Sequence, residues 1–232
     1  MTWQRNDREL VLGRVRAAVR RGTSPSRARP PADAGGLFEV AVPPGTPLDR
    51  FLARFEELGG NARVVASSEE VAPAVVGIAR ELGAERAALW ETPAMRALGV
   101  RAALNAAGVV AWSPTDGGDA RQAMAEAAVG VTGVDAVLAD TATLILGTDG
   151  TRPRGVSLLP PVHVAVIPEE RILATLAEWL AEARAAGAMP SAYTFVSGPS
   201  RTADIELTLT VGVHGPGAVY AVVVRGGGSA AQ

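Results

Sequence analysis

The sequence predicts an α/β fold with a mainly parallel sheet and some antiparallel strands. Three observations carry that expectation. From Leu37 onward, short apolar runs alternate with stretches of helical periodicity, the pattern of strands joined by crossover helices. Two later pairs of apolar runs, over 134–146 and 205–224, are joined by short polar turns, as antiparallel pairs are. The composition is that of an ordinary globular chain: 232 residues, 48% hydrophobic, 20% charged.

Element by element, Trp3 to Arg21 places Leu10, Val11, Val15, Ala18 and Val19 at helical spacing with arginines on the other side, an amphipathic helix. Gly22 to Gly36, with Pro25, Pro30 and Pro31, suits a linker. Leu37 to Val42 reads as a short strand. Thr46-Pro47 marks a helix start that ends near Gly59-Gly60. Ala62 to Ala66 is a strand, and Ser67 or Ser68 caps a helix to about Leu82. Arg86 to Trp90 is a strand, and Thr92 to Ala107 a helix interrupted at Gly99. Val109 to Trp112 is a strand, and Asp119 to Val129 an alanine-rich helix.

The period then changes. Val134 to Leu138 and Thr143 to Leu146 flank Ala139-Asp140-Thr141-Ala142. Gly147 to Gly155 is a polar turn region, and His163 to Ile167 a strand. Pro168 is expected to open a long helix that stops at Gly187. Tyr193 to Val196 is a strand. Ile205 to Val213 alternates apolar and polar residues as a half-buried strand does, with a helical turn over 202–206 as an alternative at its start. Ala218 to Val224 is the last strand. The expected organisation is a basic helix and linker over 1–36, an α/β domain over 37–226 and a tail over 227–232.

Charge and residue usage exclude several functions. A net charge of −2 gives no reason to expect nucleic acid, although eight arginines crowd the first 29 residues. That cluster reads either as a solvated helix face or as an arm for an acidic partner. There is no cysteine, so no disulfide, no thiolate-held iron–sulfur cluster and no thiol nucleophile; a cytoplasmic location fits. All 22 basic residues are arginine, which removes Schiff-base chemistry and the phosphate-binding lysine of a Walker motif. No apolar run reaches the length of a membrane span. No Gly-x-Gly-x-x-Gly, Walker or nucleophile-elbow motif is present, and Gly130-Val-Thr-Gly133 is too short to count.

Candidate chemistry falls in three places. In Phe195 to Glu206, a Gly-Pro turn is followed by hydroxyls, a guanidinium and two carboxylates. Ser197, Gly198, Ser200, Arg201, Thr202, Asp204 and Glu206 suit an anion site; the other reading is a structural turn with Arg201 paired to Asp204 or Glu206. Asp140, between two buried runs with Thr141 and Thr143, is either a general base or nucleophile or a turn residue. Arg152 and Arg154 are a possible clamp on an anion or simply solvated. His163 and His214 lack the spacing of a metal site; each reads as a structural residue or, in a pocket, a general base.

The segment Ser197-Gly-Pro-Ser-Arg-Thr-Ala-Asp-Ile-Glu206, with Gly212-Val-His-Gly-Pro216, Ala139-Asp-Thr-Ala-Thr143 and Ser157-Leu-Leu-Pro-Pro-Val-His-Val164, resembles the lactate utilisation protein C (LutC/YkgG, LUD-domain) family over roughly 110–225. Asp140 stands where that family commonly has Glu, and Ala142 where it commonly has Gly. The resemblance implies a three-layer α/β/α domain similar to the ribose-phosphate isomerase and CoA transferase group. It also implies a cluster-free component of a complex that oxidises L-lactate to pyruvate, with iron–sulfur clusters in partner proteins and no cofactor on this chain. On this view the chain is an accessory subunit rather than an independent enzyme. Alternatives are a stand-alone acyl- or CoA-transferase-like or isomerase-like enzyme, or a sensor of a small anionic ligand.

Overall fold

The structure, a computed structural model, describes residues 5–21, 44–187, 190–203, 209–212 and 214–226. The chain divides into two units, Met1–Val42 and Pro43–Gln232. In the first, helix α1 (Arg5–Arg21) follows the amphipathic pattern, and its apolar residues Leu10, Val11 and Val15 are exposed. The expected linker over 22–36, strand over 37–42 and tail over 227–232 lie outside the described residues.

The second unit begins with α2 (Pro47–Glu57), and its start is set by local chemistry. Thr46 Oγ1 accepts from Asp49 N, the Asp49 carboxylate accepts from Thr46 N, and Pro47 occupies the first turn. There follow β1 (Asn61–Val65), α3 (Val71–Glu81), β2 (Arg86–Leu89), α4 (Pro93–Ala97), α5 (Val100–Ala106), β3 (Val110–Trp112), α6 (Ala120–Glu126) and β4 (Val129–Thr132). Gly99, at φ +64°, makes the break between α4 and α5. Next come β5 (Ala136–Leu138), β6 (Thr143–Thr148), α7 (Gly155–Leu158), β7 (Val162–Pro168), β8 (Ile172–Leu173), α8 (Leu176–Ala186), β9 (Ala192–Val196), β10 (Arg201–Ala203), β11 (Leu209–Val211) and β12 (Ala218–Val224).

Six strands form a parallel sheet in the order β1-β12-β7-β4-β2-β3. Its strands are valine- and alanine-rich because both faces are covered. On one face Val75 and Ile78 of α3 and Val100 and Leu104 of α5 pack on Val131, Val164, Val166 and Val222. On the other, Phe51 and Phe55 of α2 meet Ala165, Ile167, Ala221 and Val223 together with Val137 and Leu144. Those last two belong to a smaller sheet, β8-β5-β6-β9, with antiparallel β5/β6 and β6/β9 pairs. Strand alternation turns its Ala136, Leu138 and Ile145 the opposite way, onto Trp179 of α8. The fold is thus layered α/β/α, with the mixed sheet built into one outer layer.

Several expectations are corrected. The helix over 119–129 ends at Glu126, and Val129 instead opens β4, an interior strand of the main sheet. Gly130 lets α7 rest directly on that strand: a Cβ there would lie 1.8 Å from the Val156 carbonyl oxygen. Pro168 ends β7 rather than opening a helix; α8 starts at Leu176, where Thr175 Oγ1 accepts from Glu178 N. Ser67 makes no side-chain cap; a 3-10 turn over Ser68–Glu70 precedes α3. The pair 134–146 is a hairpin, but 205–224 is not. Leu209–Val211 pairs with Arg201–Ala203, and β12 runs parallel between β1 and β7. The alternative helical turn over 202–206 is a strand as far as Ala203; 204–208 lie outside the described residues.

Candidate functional site

In an open α/β sheet, ligands bind beyond the carboxyl ends of the strands where neighbouring connections leave in opposite directions. Here those neighbours are β2 and β4. The chain leaves β2 outward to the edge strand β3, and leaves β4 inward toward β7. A crevice of about 160 Å³ opens there. Trp90, just past β2, and Gly133 and Val134, just past β4, line it. So do Thr92, Met95 and Leu98 around α4, Val166 and Pro168 of β7, and Val224 and Arg225 at the end of β12. Ser68, Arg152 and Glu170 complete the polar lining.

Arg152 is the most constrained cation of the crevice. Its Nη1 donates to Asp135 Oδ1 at 2.8 Å and its Nε to Asp149 Oδ2 at 2.7 Å. The guanidinium carbon lies 5.8 Å from the centre of the Trp90 ring, within cation–π range. The Trp90 indole N–H donates to the Pro153 carbonyl at 3.2 Å and so fixes the loop that carries Arg152. Asp149 also accepts from Thr151 N and Oγ1. Burial pushes the Asp149 carboxyl up, but the hydrogen bonds from Thr151 and Arg152 prevail and hold it at about 2. Arg152 therefore faces the crevice with two carboxylates behind it. Beyond it lies a second, more open cavity lined by Asp135, Asp149, Arg171, Trp179 and Tyr193.

The other residues singled out by sequence lie elsewhere. Thr143 Oγ1 lies 2.7 Å from both Thr141 Oγ1 and Ser197 Oγ, so the turn after β5 and the end of β9 share a chain of three hydroxyls. Asp140 Oδ1 is 3.8 Å from Arg50 Nε of α2. Ala142 sits at φ +47°, a left-handed conformation unusual for a residue with a Cβ. A glycine would adopt this conformation without steric cost.

Gly198, at φ +82°, packs against Leu58; Arg201 Nη2 donates to the Leu58 carbonyl at 2.6 Å and caps the carboxyl end of α2. Ser200 N donates to Pro216 O, just before β12. Ser200 and Arg201 therefore meet residues that precede β1 and β12, at the amino edge of the sheet, opposite the crevice. Thr202 pairs with Thr210 in the β10/β11 ribbon, and Asp204 and Glu206 lie outside the described residues.

His214 is exposed and lines a depression with Pro161 and Gly215, also at the amino edge. His163 is fully buried inside β7, its Nε2 2.8 Å from Thr132 Oγ1 and its Nδ1 without a hydrogen-bond partner. Burial lowers its pKa to about 4, so it is neutral at neutral pH. Arg154 is exposed. Among the described candidates, Arg152 alone lines the crevice. Trp90, Ser68, Glu170 and Arg225 were not legible as site residues, since each reads locally as the end of a strand or the start of a helix.

Comparison with known proteins accords with this fold. The family model described as LUD domain matches residues 48–224. Lactate utilization protein C of Halalkalibacterium halodurans is 34% identical over 65% of this chain and 67% of its own length. Lactate utilization protein C of Shouchella clausii is 35% identical over 61% of this chain and 63% of its own length. The uncharacterized protein YkgG of Escherichia coli is 34% identical over 68% of this chain and 71% of its own. The crystal structure of a DUF162 family protein from Deinococcus radiodurans superposes with a TM-score of 0.56 at 22% identity, covering 78% of this chain and all of that one. That likeness concerns the fold. With the family model spanning most of the second unit and these relatives above 30% identity, the chain belongs to the LUD-domain family.

Proposed function

We propose that this chain is the cluster-free component of an L-lactate utilisation system, that its crevice holds the small acid, and that iron–sulfur partner proteins carry the electrons. Its similarity to lactate utilization protein C carries the pathway part of this reading. The size and chemistry of the crevice favour the acid as ligand. An apolar cavity of about 150 Å³ admits a benzene-sized molecule, and lactate or pyruvate has roughly as many heavy atoms. Sites for larger ligands run to about 300–1,000 Å³, so no more than the acyl end of a coenzyme A thioester fits into the 160 Å³ here.

The guanidinium of Arg152 is the natural carboxylate partner, and Met95, Val134 and Val166 offer an apolar wall for a methyl group. Oxidation of lactate to pyruvate breaks the C2–H and O–H bonds and releases two electrons and two protons, the protons to solvent. The sequence has no cysteine to hold a cluster, so in this reading the electrons pass to a partner.

Affinity capture of the tagged full chain from lactate-grown cells tests the partner claim. Iron–sulfur proteins should co-purify, and recovery of the chain alone overturns that part. Deletion of the gene should abolish growth on L-lactate; unimpaired growth overturns the pathway reading.

A further inference from the structure

We infer that β9 is a self-pairing edge, through which two copies of this chain join their mixed sheets into one across a twofold axis. An edge strand leaves a row of backbone N–H and C=O groups without ladder partners, and folds commonly guard it with charge, proline or shortness. Among the described residues, the edges of the two larger sheets are β1, β3, β8 and β9. β1 carries Arg63, ion-paired to Glu81. β3 and β8 span only three and two residues. β9, paired on one side with β6, has none of these guards: Ala192-Tyr-Thr-Phe-Val196 is five residues long, without charge or proline.

The side chains of β9 suit a second copy of itself. Tyr193 and Phe195 both turn to the face covered by α8, where their rings meet Trp179 edge-on at 4.9 and 5.5 Å. Phe195 is nonetheless 49% exposed, and α8 leaves Leu176 and Leu180 exposed as well. An antiparallel pair centred on Thr194 sets each Tyr193 opposite Phe195 of the second copy, on that same face. Aromatic cross-strand pairs stabilise a sheet, and like charges, which would oppose pairing, are absent from this strand. This complementarity is internal to the strand, which favours a second copy over a foreign one.

Sedimentation velocity of the full chain over a micromolar concentration series tests this. The wild type should dimerise, and Phe195→Lys, which places a charge on the edge, should weaken association at least about ten-fold. The cysteine-free sequence allows a second readout. The two Thr194 Cα atoms of such a pair lie about 4.5–5.5 Å apart, within the span of a disulfide. Thr194→Cys should therefore cross-link under mild oxidation far faster than Glu57→Cys, an exposed control on α2. A monomeric wild type, a folded Phe195→Lys chain that dimerises as tightly as the wild type, or a Thr194→Cys cross-link no faster than the control each overturns the pairing. If Phe195→Lys does not fold, the cross-link decides.

Discussion

At the scale of single residues, two buried positions carry energetic consequences that can be measured. His163 is neutral in the fold because burial lowers its pKa from 6.5 to about 4. Between those values the unfolded chain binds a proton that the folded chain does not, so stability is complete above pH 6.5 and falls as pH drops toward 4. The full shift corresponds to about 3 kcal/mol. Urea unfolding at pH 7.5, 5.5 and 4.5 should show the loss, and His163→Leu should flatten it; an equal slope in the variant assigns the effect to other groups.

Ala142 is the second case. Its left-handed φ costs about 1–2 kcal/mol, yet its methyl is fully buried against the core that includes Phe51 and Leu144. Ala142→Gly relieves the strain but loses the buried methyl, worth about 0.8 kcal/mol, and gains backbone entropy in the unfolded state. The terms nearly cancel, so the urea midpoint should change by less than about 1 kcal/mol. Ala142→Val, β-branched in the same conformation, should cost more than about 2 kcal/mol. The near-cancellation explains how alanine can occupy a left-handed position that glycine adopts without strain.

At the scale of elements, those with strong punctuation were legible in the sequence. Thr46-Pro47, Gly99 and Gly187 each act as the local chemistry predicts. Strand β4 was not legible, because four residues following an alanine-rich helix give no periodicity of their own. Its identity comes from pairing with β2 and β7, which only the tertiary fold supplies. Gly130 is the signature of that pairing. Gly130→Ala drives a methyl into the Val156 carbonyl, and the strand cannot move without disturbing both neighbours. We expect a loss of more than about 3 kcal/mol by urea unfolding.

The segment around Arg201 stood out in the sequence, and the structure gives its guanidinium a helix to cap. Arg201→Ala should lower stability by about 0.5–1 kcal/mol. Unchanged stability together with lost growth on lactate would return Arg201 to ligand binding.

At the scale of the whole molecule, the crevice was hidden because the residues that line it are scattered from Ser68 to Arg225 and meet only beyond the ends of the parallel strands. Arg152 was visible as a residue type, but its two carboxylates and its indole neighbour were not. This architecture makes a global prediction. A ligand that binds only the folded state adds stability in proportion to the logarithm of its saturation, about 2.7 kcal/mol at a concentration of 100 Kd. For a domain of 150–250 residues, each kcal/mol raises Tm by about 2–4 °C. L-lactate or pyruvate at that saturation should therefore raise the unfolding temperature by roughly 5–11 °C. Arg152→Gln removes the cation proposed to hold the carboxylate and should abolish most of the rise, whatever it does to the baseline Tm through the lost Asp135 and Asp149 contacts. A shift of the same size in that variant would place the acid away from the crevice, because binding anywhere else leaves Arg152 out of the linkage.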